Sequence, residues 1–390
     1  MQREKPRRRG IYLDHSATTP VRPEVLEAML PFLREHHGNA GSLHRFGRNC
    51  RRAVETAREQ VAALINAEPR DILFTSGGTE SNNLAIMGIV EASDRTAKRM
   101  VTTAVEHHAV LHAGESLAHT NRVDLRIVGV DQDGLVDPDA VEAFLGDETA
   151  LVSVMHANNE TGVIQPIERI GVLCQEQGVP FHSDTVQSVG KLSLDVRKMP
   201  LDLAAISGHK LYGPKGIGAL FVRSGTGIKP QAVGGAQERG RRAGTENVAG
   251  IVGLGCACEL LHEELLSASK RMEVLRDRLH EGILAAIPNA GINGSTARRL
   301  PNILNVAFGG LDGERMMFAL DQEGIAVSTG SACTAGSLDP SHVLLAMGQS
   351  HEHASSAIRF SLGRNNTEEE IDRVISLLPG LVKQFLEKPD

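Results

Sequence analysis

Five apolar runs of this chain each end in residues able to do chemistry. Phe74 is followed by Thr-Ser-Gly-Gly-Thr-Glu-Ser-Asn-Asn83; then come Glu106-His107, Asn158-Asn159-Glu160, His182-Ser-Asp-Thr-Val-Gln187 and Ser207-Gly-His-Lys210. A glycine turn that runs into a hydroxyl-rich helix start presents free N–H groups and the positive end of a helix dipole, so Gly77, Gly78 and Thr79 form a cup for phosphate. Alone that motif is weak, because many glycine turns do no more than start a helix, and each of the other residues has a bland reading as a cap or loop contact. Taken together, a phosphate cup, a flat imidazole at His107, a carboxylate at Asp184 and an amine at Lys210 match pyridoxal phosphate part by part. In that reading burial and neighbouring cations loosen the Lys210 proton, so that the amine can bond to the cofactor aldehyde, and Asp184 pairs with the protonated ring nitrogen. His107 stacks on the ring, while Asn159 and Gln187 reach its hydroxyl.

Ligands of an open α/β sheet gather at the carboxyl ends of its strands, so these residues need a sheet behind them. Short runs at Ile72-Phe74, Met100-Ala104, Leu125-Val130, Leu151-Met155, Val179-Ser183, Leu203-Ser207 and Ile217-Val222 alternate with helical patterns, the rhythm of a mostly parallel seven-stranded sheet with helical crossovers. Asp137 ahead of Pro138, and Thr367 three residues before Glu370, mark helix starts. Beyond about Leu260 one long charged amphipathic helix precedes strands near Asn302-Phe308, Gly324-Ser328 and Ala357-Ser361 and a closing helix. This predicts a large α/β domain over 16–260 and a smaller α+β domain made of 1–15 and 261–390, with the boundary inside a long helix beginning near Glu259.

Composition excludes several classes. Two Tyr, ten Phe, no Trp and a formal charge of −7 offer neither the stacking platform nor the basic groove that direct nucleic-acid binding requires. No apolar run approaches the roughly 18 residues of a membrane span, and the N-terminus lacks the apolar core of a signal peptide, so a cytoplasmic protein is expected. Five scattered Cys suit reduced thiols rather than a disulfide framework. Cys50, Cys174, Cys256 and Cys258 read as packing, whereas Cys333 lies in Ser328-Thr-Gly-Ser-Ala-Cys-Thr-Ala-Gly-Ser337, a small, polar stretch suited to an exposed loop carrying a nucleophile. His36-His37 and His351-Glu-His353 lack a second pair at metal-binding spacing, so no metal is expected.

Nine ordered segments spread over almost the whole chain resemble the cysteine desulfurases of the NifS/IscS type, within the fold-type I aminotransferase superfamily. They are Tyr12-Leu-Asp-His-Ser-Ala-Thr-Thr-Pro20, Phe74 to Asn83, Glu106-His107, Met155-His-Ala-Asn-Asn-Glu-Thr-Gly162, His182 to Gln187, Ser207 to Gly216, Gly234 to Asn247, Ser331-Ala-Cys333 and Arg359-Phe-Ser-Leu-Gly-Arg364. The resemblance implies a pyridoxal-phosphate enzyme that takes sulfur from L-cysteine, releases L-alanine and holds the sulfur as a persulfide on Cys333. It places Gly78, Thr79, Ser207 and His209 at the cofactor phosphate and gives the substrate carboxylate to Arg359 and Asn39. Lys210 then removes the substrate Cα proton and His107 shuttles protons. It further implies a homodimer in which Thr245 reaches the neighbouring subunit's phosphate, and a sulfur-acceptor protein such as an iron–sulfur scaffold of the IscU/NifU kind. One departure is Asn39-Ala-Gly-Ser-Leu-His44, where the family more often has Asn-Pro-Ser-Ser. Selenocysteine lysis, transamination of a small amino acid, and a docking subunit with little turnover stay open; a thiol at Cys333 favours sulfur transfer over transamination.

Overall fold

The computed structural model describes residues 10–329 and 339–387. Seven strands make the central sheet: β1 (Ile72–Thr75), β2 (Arg99–Thr103), β3 (Asp124–Val128), β4 (Thr149–Ser153), β5 (Phe181–Asp184), β6 (Leu203–Ser207) and β7 (Gly218–Val222). Their order across the sheet is β1-β7-β6-β5-β4-β2-β3. All run parallel except β7, which is antiparallel to both neighbours. Helices cover both faces, and every residue of β4 to β7 is buried. Successive residues of a strand therefore feed opposite cores: Ile72 and Phe74 pack with helices Arg45–Leu64 and Ile167–Glu176, while Leu73 packs with helix Gly78–Ala92.

The expected helix starts have physical caps. Asp137 Oδ1 accepts from the Asp139 N–H at 3.0 Å, with Pro138 in the first turn. Thr367 and Glu370 exchange side-chain-to-backbone hydrogen bonds, both at 3.3 Å.

The long helix departs from its expected start near Glu259. It runs Val248–Ala286, 39 residues, and is capped by Asn247, whose side chain accepts from the Gly250 N–H. Gly253 and Gly255 in its first turns allow close approach to neighbouring helices. A Cβ on Gly253 would lie 2.7 Å from Met29 Sδ, and one on Gly255 2.6 Å from Ala57 Cα. Tertiary packing overrides the low helix propensity of glycine. The helix passes from one core to another: Ile251, Leu254 and Leu261 belong with the main sheet, whereas Leu275, Leu279 and Ile283 pack with Leu13, Leu304, Phe360 and Val374.

That second core lines a four-stranded antiparallel sheet, ordered Ser328–Thr329, Ala357–Ser361, Ile303–Phe308, Ala290–Ile292. The run expected as one strand over Gly324-Ser328 is split. Ile325–Ala326 pairs in parallel with Ile11–Tyr12, and Ser328–Thr329 joins the four-stranded sheet. Ala290–Ile292 had no sequence signal, being three half-buried residues with one β-branched side chain.

Candidate active site

The carboxyl ends of β1, β2, β4, β5 and β6 converge on a cavity of about 270 Å³. Gly78, Thr79, His107, Asn159, Asp184, Gln187, Ser207, His209 and Lys210 all border it. Five separate strand ends thus deliver residues 78 to 210 to one place, which is what a parallel sheet with right-handed crossovers does.

The phosphate cup rests on two close approaches. A Cβ at Gly78 would sit 2.9 Å from Val186 Cγ2 and 3.4 Å from Ser207 Cβ, and one at Gly218 in β7 would sit 2.7 Å from the Gly77 Cα. Glycine at these positions lets the turn lie down on the sheet before helix Gly78–Ala92 begins. Glu80, an acid in the first turn that would repel a phosphate, is paired with Arg242 at 2.7 Å and accepts from the Ser76 N–H at 2.8 Å. His209 is half-buried, and burial followed by the Lys210, Lys215 and Lys191 charges pushes its imidazole down to about 4, so it is neutral at physiological pH.

Asp184 ends β5 with both oxygens held: Oδ2 accepts from Asn82 Nδ2 at 2.7 Å and Oδ1 from the Val186 N–H at 3.0 Å. Lys210 follows β6 on a single 3₁₀ turn, and its Nζ donates to the Ser16 carbonyl and, at 2.7 Å, to the Ala17 carbonyl. His107 caps helix His108–His119, its Nδ1 accepting from the Ala109 N–H at 3.0 Å. An accepting Nδ1 assigns the proton of the neutral ring to Nε2, and burial keeps the ring neutral by lowering its pKa.

Glu106 beside it is wholly buried. Its Oε1 accepts from Thr103 Oγ1 and the Met155 N–H, both at 2.8 Å, and burial pushes its carboxyl up to about 8. A carboxyl raised in this way favours the folded state at low pH and loses that advantage as pH rises from the unfolded value, about 4.5, to about 8. Glu106→Gln is therefore expected to gain stability relative to wild type across that window, by on the order of a few kcal/mol, and to level off above it. Melting temperatures of both proteins at acid, neutral and mildly alkaline pH measure the difference.

Three residues expected at the site lie elsewhere in the single chain. Arg359 is 1% exposed, and its fork is already engaged: Nη2 donates to Asp14 Oδ1 at 2.8 Å and Nη1 to the Asn159 carbonyl at 3.0 Å, leaving Nε buried without a partner. Asn39 is exposed, and its Oδ1 accepts from the Gly41 N–H in the turn before helix Arg45–Leu64. Thr245 borders a separate depression of about 140 Å³ with Ser76, Glu238 and Arg242. Cys333 lies outside the described residues. Conversely, Ser16, Ala17 and Asn82 border the cavity without having been assigned a role. Ser16 and Ala17 act on Lys210 through backbone carbonyls, which side-chain type does not announce; Asn82 stood in a quoted motif, and its distance from Asp184 in sequence hid the contact.

A larger cleft of about 910 Å³ opens at the amino ends of β4, β5 and β6. Its Arg95 and Arg223 are spent on backbone carbonyls, among them those of Asp147, Leu201 and Val196. That role is structural.

The cavity residues fit pyridoxal phosphate. One end offers the glycine cup with Thr79, Ser207 and a neutral His209, and the other offers a fixed carboxylate and a flat imidazole. Gln187 Oε1 and Asn82 Oδ1 are buried there with no hydrogen-bond partner among the described residues, spare polar capacity of the kind a site shaped around a polar ligand retains.

Comparison with known proteins agrees with this geometry. The aminotransferase class-V family matches residues 11–374. A cysteine desulfurase IscS of Clostridium botulinum is 48% identical over 376 residues, covering 96% of this chain and 94% of its own. Among solved structures, a NifS-like protein superposes with a TM-score of 0.90 at 38% identity, over 96% of this chain and 100% of that one. A structure described as SspA in complex with cysteine gives 0.81 at 35% identity, over 92% and 100%. With a lysine, a carboxylate and a phosphate cup meeting at the carboxyl edge of the sheet, and with likeness of this extent, the chain belongs to the aminotransferase class-V family and stands among its cysteine desulfurases.

Proposed function

We propose that this protein is a cytoplasmic, pyridoxal-phosphate-dependent cysteine desulfurase that converts L-cysteine to L-alanine and keeps the sulfur on Cys333 as a persulfide. The observation that carries this reading is the meeting of Lys210, Asp184, His107 and the Gly78-Thr79 cup around one cavity. When bound, the cofactor supplies an electron sink for negative charge at the substrate Cα. Lys210 would hold the cofactor, and its Nζ is the base that would take the substrate Cα proton. Asp184, fixed by Asn82 and Val186, keeps the ring nitrogen protonated. His107 presents Nε2–H, a proton it can give without breaking its helix cap, and Asn159 and Gln187, which border the same cavity, would meet the ring hydroxyl. The Cys333 thiolate attacks the substrate sulfur, the carbon–sulfur bond breaks with its electron pair moving toward carbon, and protonation yields alanine.

Arg359 takes the substrate carboxylate by exchanging it for Asp14, and Asn39 reaches the same group only if its loop moves inward. Arg359→Ala is then expected to raise the cysteine Michaelis constant about 30- to 150-fold, the cost of losing a charged hydrogen-bond partner of roughly 2–3 kcal/mol. It also leaves Asp14 without its cation, so the melting temperature falls. An unchanged Michaelis constant would refute the carboxylate role. The protein acts as a homodimer, with Thr245 of one subunit serving its partner's phosphate site. This reading suits the exposed Gly244–Thr245 turn, whose loop is anchored by the buried Glu238–Arg58 ion pair at 2.8 Å. The persulfide goes on to a sulfur-acceptor protein such as an IscU/NifU-type iron–sulfur scaffold. Equimolar alanine and sulfide released from cysteine in the presence of a dithiol support the reading; alanine without sulfur release, or neither product, overturns it.

A further inference from the structure

Lys210 borders not only the main cavity but a much smaller one, of about 10 Å³, and a second lysine shares it. Lys191 is 7% exposed, and its Nζ has no hydrogen-bond partner among the described residues. Asn302, fully buried and lining the same cavity, also leaves its Oδ1 without a partner among the described residues. A space of roughly 10–15 Å³ holds one water, provided polar groups receive it. Lys191 and Asn302 are polar groups of that kind, each lining this cavity with a buried atom whose hydrogen-bonding capacity is unmet among the described residues.

The remaining charged groups around this cavity are accounted for. Glu264 on helix Val248–Ala286 is engaged by Arg22 at 3.0 Å and by Arg364 at 3.1 Å. Burial pushes His15 down to about 4, so it carries no charge at physiological pH, and the Tyr212 hydroxyl accepts from the Arg364 N–H at 2.9 Å. Among the described residues that line this cavity, Lys191 is the cationic side chain whose nitrogen is buried without a hydrogen-bond partner. Burial, then the Lys210 charge, pushes Lys191 itself down to about 7. The interaction is reciprocal, as all charge–charge coupling is.

We propose that Lys191 is a positioning residue of the Lys210 site, a second buried amine whose positive charge loosens the proton held on the Lys210 nitrogen. A like charge at close range in a poorly screened interior makes a neighbouring cation easier to deprotonate, and a lysine that must act as nucleophile and base needs that help. The inference rests on Lys210 being the residue that carries the cofactor.

The test is a spectroscopic titration of the holoenzyme over about pH 5 to 10, spanning the ordinary lysine and histidine ranges. The visible band of the Lys210-bound cofactor changes as its nitrogen loses a proton. In Lys191→Met the midpoint of that change is expected to rise by about one pH unit or more, the effect of removing a unit charge within roughly 12 Å at an effective dielectric of about 20. Lys191→Arg, which keeps the charge, stays near wild type. Lys191→Gln still donates into the cavity and gives the same reading should the methionine variant not fold. A midpoint unmoved in a folded Met or Gln variant overturns the role of Lys191. A wild-type protein with no visible band overturns instead the assignment of Lys210, so the two failures are told apart.

Discussion

Cys333→Ser is expected to bind pyridoxal phosphate and L-cysteine normally and to release no alanine. The residues proposed to hold the cofactor border the strand-end cavity, and the proposal gives this thiol no part in binding. Sulfur transfer does use it, because a serine hydroxyl is a far weaker nucleophile near neutral pH and cannot hold a persulfide. Loss of an essential nucleophile lowers turnover by on the order of 10³-fold or more. No described thiol is set up to replace it. Burial pushes Cys174 up to about 12 and raises Cys256 and Cys258, while Cys50 is buried with its Sγ donating to the His36 carbonyl at 3.3 Å. Mass spectrometry of wild-type enzyme after brief exposure to cysteine should therefore find one added sulfur on the peptide containing Cys333. Sulfur on Cys256 or Cys258, or an active serine variant, sinks the assignment while leaving the cofactor site intact.

Lys210→Ala should remove both the visible absorbance of the bound cofactor and the base that takes the Cα proton. Two roles lost together predict a fall in turnover of about 10³-fold or more, the upper part of the 10²- to 10⁴-fold range usual for a general base. Borohydride reduction of the wild type followed by peptide mapping locates the attachment directly. The competing amines differ in access: Lys215 is exposed and does not border the cavity, and Lys191 is buried against the smaller one. Label on Lys215 would mean that the cavity has been read from the wrong lysine.

Local signals carried much of this protein. Six of the seven runs that became β1 to β7 were visible because apolar residues buried on both faces leave continuous hydrophobic stretches, while the edge strand β3 is mostly exposed; the polar termini of β1, β2, β4, β5 and β6 marked the site. Asp137 and the Thr367-Glu370 pair were legible because a cap acts within four residues. The chemical types at Lys210, Asp184 and His107 required no structure to suggest a cofactor.

What tertiary structure alone decided involves partners far apart in the chain or backbone atoms that no side chain advertises. The carbonyls of Ser16 and Ala17 that receive Lys210 come from 194 and 193 residues away. Arg359 looked like a free fork until Asp14, 345 residues distant, closed on it. The early start of the long helix depended on Met29 and Ala57 filling the space over its glycines, and Ala290–Ile292 became a strand because Ile303–Phe308 offered an edge. Sequence determines periodicity, capping and reactivity, since these are set within a few residues. Which groups are buried together, and hence which charges Lys210 meets, is fixed only when distant segments pack and water is excluded between them.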